Sequence, residues 1–128
     1  MILLDTHAWI WWASQSPKLS TAARQRIEAE TEAGVAVISC WEVAMLVEKG
    51  RLKLDRDLSL WVDQAVTLPK VVLLALTPQI AVASVRLASG FLADPTDRMI
   101  VATAKQHGVP LVTKDERIQK CGLVATIW

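Results

Sequence analysis

A chain of 128 residues, 52% hydrophobic and 21% charged, is long enough for one buried core and too short for two. Its formal net charge of +1 points neither toward nor away from nucleic acid, so any attraction to phosphate has to be local. The longest apolar runs, Ala8–Ala13 and Val71–Leu76, fall far short of the roughly 20 residues that span a bilayer, and the opening MILLDTH lacks a basic segment and meets an aspartate at once; a soluble, cytoplasmic protein without a membrane partner is expected. Ile2-Leu3-Leu4 is a wholly apolar run ending in Asp5, as a buried parallel strand would. Thr6 to Trp12 reads as a short helix, broken at Ser16-Pro17. Ser20 can cap a second helix through about Glu32, with Gly34 ending it and Val35 to Ile38 as the second strand. Ser39 then opens a helix to Lys49, stopped at Gly50. A polar stretch with Arg51, Lys53 and Arg56 leads to a helix from Leu58 to Thr67, and Val71 to Leu74 forms the third strand. Pro78 begins a helix through Ala88, Gly90 to Ala93 is a loop, and Asp94-Pro95 starts a helix that Gly108 closes after His107. Leu111 to Thr113 is the fourth strand, Asp115 to Gln119 a short helix, and Leu123 to Thr126 a fifth strand at the edge.

Strands alternating with helices imply an α/β fold, a parallel sheet of four to five strands between helical layers, in a single domain covering 1–128. In such sheets ligands collect outside the carboxyl ends of the strands. Acids stand at those ends. Asp5 follows the first strand, Glu42 lies in the first turn after the second, Asp94 and Asp97 open the helix before the fourth, and Asp115 follows that strand. Each has a structural reading. Ser39-x-x-Glu42 and Thr113-x-x-Glu116 fit capping boxes, and Asp94 fits an N-cap before Pro95, with Asp97 favoured by the helix dipole. Direction argues for more. Glu42 heads the apolar stripe Met45 and Leu46, and Asp97 heads Ile100, Val101 and Ala104, where a capping acid has no need to lie. Carboxylates converging at a sheet centre repel one another unless a cation joins them, and such oxygen donors suit Mg²⁺ or Mn²⁺.

Three segments, LLDTHAWIWW, SCWEVAMLVEKGRL and DPTDRMIVATAKQHGVPLVTKDERI, resemble in order and spacing those of PIN domains of the VapC toxin type. The resemblance implies a PIN-like three-layer fold and a metal-dependent endoribonuclease that is the toxin of a toxin–antitoxin pair. It assigns catalysis to Asp5, Glu42, Asp97 and Asp115, and metal binding to Asp5, Asp97 and Glu42, with Asp94 as the alternative third acid. The small hydroxyl residues Thr6, Ser39 and Thr113 occupy places beside the acids, where they would bond carboxylates, a metal-bound water or substrate; Arg98 and Lys114 adjoin acids and are the first candidates for phosphate contacts. The resemblance further implies RNA as substrate, Mg²⁺ or Mn²⁺ as cofactor, a homodimer, and a cognate antitoxin protein that covers the acidic groove.

The remaining residues add less. His107 falls at a helix C-terminus, a common structural position, whereas His7 lies close enough to Asp5 to touch substrate. Cys40 and Cys121 are far apart and carry no metal-ligand spacing. Arg51, Lys53 and Arg56 read as a solvated face, and among Trp11, Trp12 and Trp41 at least one is expected to face a partner. A haloacid-dehalogenase-like phosphatase would have a second Asp where His7 stands, and a receiver domain would carry its Asp after the third strand, where Leu74-Ala75-Leu76 stands. A nucleotide-cofactor enzyme lacks its glycine-rich loop. The alternative from a different class is a non-catalytic PIN-like RNA- or protein-binding module.

Overall fold

Five short strands and seven helices alternate through the residues described by this computed structural model, 1–88 and 92–128. Strand β1 (Ile2–Leu4) runs into α1 (Thr6–Ala13) and α2 (Thr21–Ala29); β2 (Ala33–Ala36) is followed by α3 (Val37–Glu48) and α4 (Leu58–Ala65). After β3 (Val71–Leu74) come α5 (Pro78–Val85) and α6 (Pro95–His107), then β4 (Leu111–Val112), α7 (Glu116–Lys120) and β5 (Thr126–Ile127). All strand pairs are parallel, and the order is β3-β2-β1-β4-β5, with β1 in the centre. This is the expected three-layer α/β arrangement.

Consecutive residues of β1 point to opposite faces. Ile2 and Leu4 join a cluster with Trp9, Ile27, Val43 and Trp61, while Leu3 joins Ile100, Val101, Leu111 and Ile118 on the other side. With both faces covered by helices, the strand has no place for a polar residue until it ends at Asp5. Trp9 anchors the first layer: it is fully buried, its ring meets that of Trp61 at 5.2 Å, and its indole N–H donates to the Ala65 carbonyl at 3.1 Å. Burying an aromatic this completely contributes about 2–3 kcal/mol.

Several boundaries differ from the sequence expectation. Gly34 does not end α2 but sits inside β2, opposite Leu3. A Cβ there would stand 2.9 Å from Leu74 Cδ1 and 3.4 Å from Leu3 Cδ1, so the glycine lets those side chains close over the strand. Helix α2 ends earlier, where Glu30 turns extended with ψ 151°. The strand then passes straight into α3 at Val37, with Ala36 at the N-cap and no side-chain cap, so the Ser39–Glu42 capping box does not form. Helices α4 and α5 stop before Thr67 and Ala88. Strand β5 forms at Thr126–Ile127 instead of Leu123–Thr126, because Leu123 and Val124 pack against the Leu3 cluster. The loop expected at Gly90 to Ala93 begins outside the described residues. Among the described residues no helix is long and apolar enough to cross a membrane.

Candidate active site

The chain lays down β1, β2 and β3 outward in one direction and then returns to place β4 on the other side of β1. Helices therefore diverge between β1 and β4, which opens a crevice at their carboxyl ends. Asp5 and Asp115 follow those two strands, Glu42 projects from α3 after β2, and Asp94 and Asp97 open α6. All five acids line one cleft of about 580 Å³, together with Thr6, His7, Trp11, Arg51, Lys114 and Arg117. The sequence placed these acids near strand ends or helix starts, and the fold brings them together, with Glu42 in the second turn of α3 instead of the first.

Asp5 is only 8% exposed. It caps α1 by accepting the Ala8 N–H at 2.8 Å, and its own N–H donates to Val112 O at 3.0 Å. Burial raises its carboxyl to about 6 despite a hydrogen bond with Thr113 and the Ala8 N–H, which pull the other way. Asp97 rises to about 7, first through burial and then through the negative charges of Asp94, Asp115 and Glu42, with Arg117 in partial opposition. Burial is the main cause at both carboxyls, and at Asp97 the neighbouring negative charges add to it, a repulsion that either a proton or a cation would relieve. Asp115 behaves differently. Burial pushes its carboxyl up, but Arg117 outweighs that and holds it below the usual range, with Nη2 at 3.2 Å from Oδ2 and the backbone N–H at 2.8 Å from Oδ1.

Asp94 is the N-cap of α6, its Oδ1 accepting from Thr96 at 2.8 Å and Asp97 at 3.2 Å, with Pro95 in the first turn. One oxygen is thus committed to the helix, while Asp97, one turn in, has no such duty. Around α7 the expected Thr113–Glu116 box is replaced: Asp115 is the cap, and Thr113 Oγ1 accepts from the Asp115 N–H at 3.1 Å.

Of the residues expected beside substrate, Ser39, Thr113 and Arg98 are otherwise engaged, Thr113 in the carboxylate bond that was among its expected roles. Ser39 and Thr113 are 0% exposed and cannot reach a ligand. Ser39 Oγ accepts from Thr6 Oγ1 at 3.0 Å, joining α3 to α1, and Thr113 bonds Asp5. These hydroxyls hold the acids' frame in place, and Thr6, also buried, does the same from the cleft wall. Arg98 is not free for phosphate either. Its guanidinium donates to the carbonyls of Ser84, Leu92, Val85 and Leu87 at 2.7–3.0 Å, clasping α6 to the end of α5 and the segment before α6. Lys114 does face the cleft, as expected.

Arg117 and Arg51 went unrecognised as cleft residues. Arg117 is i+2 from Asp115, a spacing without a recognisable signal. Arg51 reaches the cleft because Gly50, at φ 70°, turns the chain back so that the Arg51 N–H donates to Leu46 O at 2.9 Å. His107 lies in the last turn of α6, and Cys40 and Cys121 are unpaired, as read from sequence. Trp41 is 56% exposed, which singles it out among the three tryptophans considered for a partner.

The donor set is all oxygen and fits a hard divalent ion such as Mg²⁺ or Mn²⁺, and the raised Asp5 and Asp97 carboxyls show charge that such an ion would neutralise. Among the described residues no three His, Cys, Asp or Glu side chains already close on one point. The acids line the cleft without forming a finished cage.

A family model described as the PIN domain matches residues 2–122. Ribonuclease VapC22 of Mycobacterium tuberculosis is 42% identical over 118 residues, which cover 92% of this chain and 89% of that protein. Among solved structures, VapBC2 from Rickettsia felis bound to a promoter DNA fragment superposes with a TM-score of 0.72 at 15% identity, covering 98% of this chain and 97% of that one. DNA-bound VapBC from Salmonella typhimurium gives 0.71 at 19% identity over 98% and 97%. At these identities the structural likeness establishes the fold alone.

Proposed function

The chain belongs to the PIN-domain family, and from that premise we propose that it is a metal-dependent endoribonuclease, the toxin of a toxin–antitoxin pair. One observation carries this reading: Asp5, Glu42, Asp97 and Asp115 share a single cleft at the carboxyl edge of the central strands, where two of them are held near neutrality. The 42% identity to a relative named as a ribonuclease supports the reaction class. Asp5, Glu42 and Asp97 would hold Mg²⁺ or Mn²⁺. Asp94, with one oxygen spent as a cap, is the weaker claimant to the third place. The bound ion would acidify a water and offset charge on the phosphate.

The chain's own residues prepare that chemistry. Thr113 and the Ala8 N–H fix the Asp5 carboxylate, and Thr6 with Ser39 sets the separation of α1 from α3 and hence of Asp5 from Glu42. Lys114, Arg117 and Arg51 supply positive charge at the cleft for the RNA phosphates. Protonation of Asp97 and ion binding are alternative reliefs of one repulsion, so ion uptake should release protons near neutral pH. No histidine or lysine is needed as the base.

The same reading carries a homodimer and an antitoxin partner. The exposed Trp41 ring, on a small depression with Ile38, Met45 and Met99, offers an apolar contact of the kind interfaces favour. The test is cleavage of purified RNA with Mg²⁺ or Mn²⁺, followed by EDTA. Cleavage should stop with chelator and resume when the metal is restored. Full activity in EDTA would place the chemistry elsewhere. Purified protein that binds RNA under every metal condition yet never cuts it would favour a non-catalytic binding module.

A further inference from the structure

Lys114, Arg51 and Arg117 all line the acidic cleft, but they are not held alike. The Lys114 ammonium lies over the Trp11 ring, 5.9 Å from its centroid. Among the described residues, Arg117 is the one of the three that is paired with a cleft acid. Its Nη2 stands 3.2 Å from Asp115 Oδ2 and its Nε 3.5 Å from Oδ1, while its backbone N–H donates to the same Oδ1 at 2.8 Å. Both oxygens of Asp115 are thus engaged by one residue.

An exposed ion pair adds little stability, and the Arg117 side chain is 68% exposed. What the pair adds is direction. Asp115 takes the Nε–Nη2 edge of the guanidinium, and Nη1 has no partner among the described residues. A fork tethered along one edge stays in the cleft that it lines and leaves donors unused for a second acceptor. A phosphodiester suits that vacancy, because its unesterified oxygens match a planar fork as they do not match an ammonium. The tether also takes Asp115 away from the ion. A divalent cation on Oδ2 would stand against a guanidinium of like charge, whereas Asp97 and Glu42 carry no such partner among the described residues. Burial would raise the Asp115 carboxyl, and Arg117 more than reverses this, so the acid stays charged and keeps its hold.

We propose that Arg117 grips an RNA phosphate at the metal site and that Asp115 is its positioning residue, outside the ion's ligand set. This rests on the nuclease reading of the cleft and deepens it. The acids then divide into those that hold the ion and one that aims an arginine.

The test is a double-mutant cycle read as Mn²⁺ affinity by calorimetry and as steady-state RNA cleavage. Asp115→Asn keeps the cap of α7, since asparagine also caps, and Arg117→Ala lies at an exposed position, so both should fold. The double variant removes one charge of each sign, and its Mn²⁺ affinity should stay within about threefold of wild type, where loss of a ligand would cost about tenfold or more. In cleavage, Arg117→Ala should raise KM about tenfold or more and change kcat less. Arg117→Lys, which keeps the charge without the fork, should recover part of that loss. Asp115→Asn should also raise KM, yet add less than about twofold in the Arg117→Ala background. A double variant that loses Mn²⁺ binding tenfold or more makes Asp115 a ligand and overturns the proposal. So does an Arg117→Ala protein that cleaves like wild type, or a pair of losses that simply add. If the wild type never cleaves RNA, the nuclease reading fails by itself. The cycle is then read as the affinity for a fluorescein-labelled RNA with Mn²⁺, by fluorescence anisotropy, with the same pattern expected and the same outcomes overturning it.

Discussion

Helix α6 contributes to two concavities of opposite character. Its N-terminal end enters the acidic cleft through Asp97 and Ile100, and its other half walls a groove with α5. The groove is the larger, about 880 Å³ against 580 Å³, and its lining of Pro78, Val82, Ala83, Leu87, Ala102 and Leu123 is mainly apolar. Among its described lining residues there is no carboxylate; Arg86 and Lys105 are its charged groups. Size and greasiness would choose the groove as the place of chemistry. Charge chooses the cleft, because only there does the topology force like charges together at a buried position. Packing alone explains a groove between two helices; in the cleft, burial and then the charges of Asp94, Asp115 and Glu42 raise Asp97 to about 7.

The largest effects should therefore separate the two regions completely. Asp5→Asn and Asp97→Asn, each near-isosteric, should lower RNA cleavage by about a hundredfold or more, while Val82→Ala in the groove changes it less than about twofold. Steady-state cleavage with matched circular dichroism spectra checks both. A groove variant as damaging as a cleft variant would erase the contrast.

Arg98 sharpens it from within α6, since it neighbours Asp97 yet serves the scaffold. Removing its bonds to four carbonyls should cost about 2–4 kcal/mol in urea unfolding for Arg98→Ala. Cleavage per folded molecule should stay near wild type. A stable Arg98→Ala protein that has lost RNA affinity would return Arg98 to the phosphate-contact role.

The pH dependence follows from the two raised carboxyls. Asp5 at about 6 and Asp97 at about 7 both lie above the ordinary 3.8, so the folded protein keeps protons that the unfolded chain has lost. Stability of the metal-free protein should fall as pH rises from about 4 to about 7, and a saturating divalent ion should abolish that fall. Thermal unfolding with and without EDTA reads this, and Asp97→Asn should flatten the metal-free curve. Metal-free stability that climbs across this range would mean that these two carboxyls are not raised in the folded protein.

Asp94 is the smallest case. Asp94→Ala should cost about 1 kcal/mol through the lost cap, and Asp94→Asn much less because asparagine also caps. If Asp94→Asn removes cleavage while Asp97→Asn keeps it, the roles of the two acids are exchanged.

How much of this was readable in the chain varies by element. The boundaries of α6 were, because Asp94-Pro95 and Gly108 are strong local signals that the structure uses as such. The β2–α3 junction was not: Val35 to Ile38 is apolar throughout, the strand becomes helix without a polar cap, and periodicity cannot divide such a run. The acids were legible because Asp5 and Asp115 follow strands, Asp94 and Asp97 open a helix and Glu42 heads an apolar stripe, all local properties. Their supports were not. Thr113 reaching Asp5, Ser39 receiving Thr6 and Arg98 clasping carbonyls are contacts between distant parts of the chain, and identical residue types elsewhere would have served equally well as surface. Lys114 and Arg51 look alike in sequence to Arg98, and only the path of the backbone decides which of them meets the cleft.

Calorimetric titration of Mn²⁺ into the purified protein at pH 7 tests most directly whether the cleft acids are a ligand set. Wild type and Asp94→Asn should bind the ion with proton release, and Asp5→Asn and Asp97→Asn should lose most of that binding while remaining folded. Equal Mn²⁺ affinity in all four proteins would contradict it, leaving Asp5 and Asp97 as structural acids in a cleft that serves some other purpose.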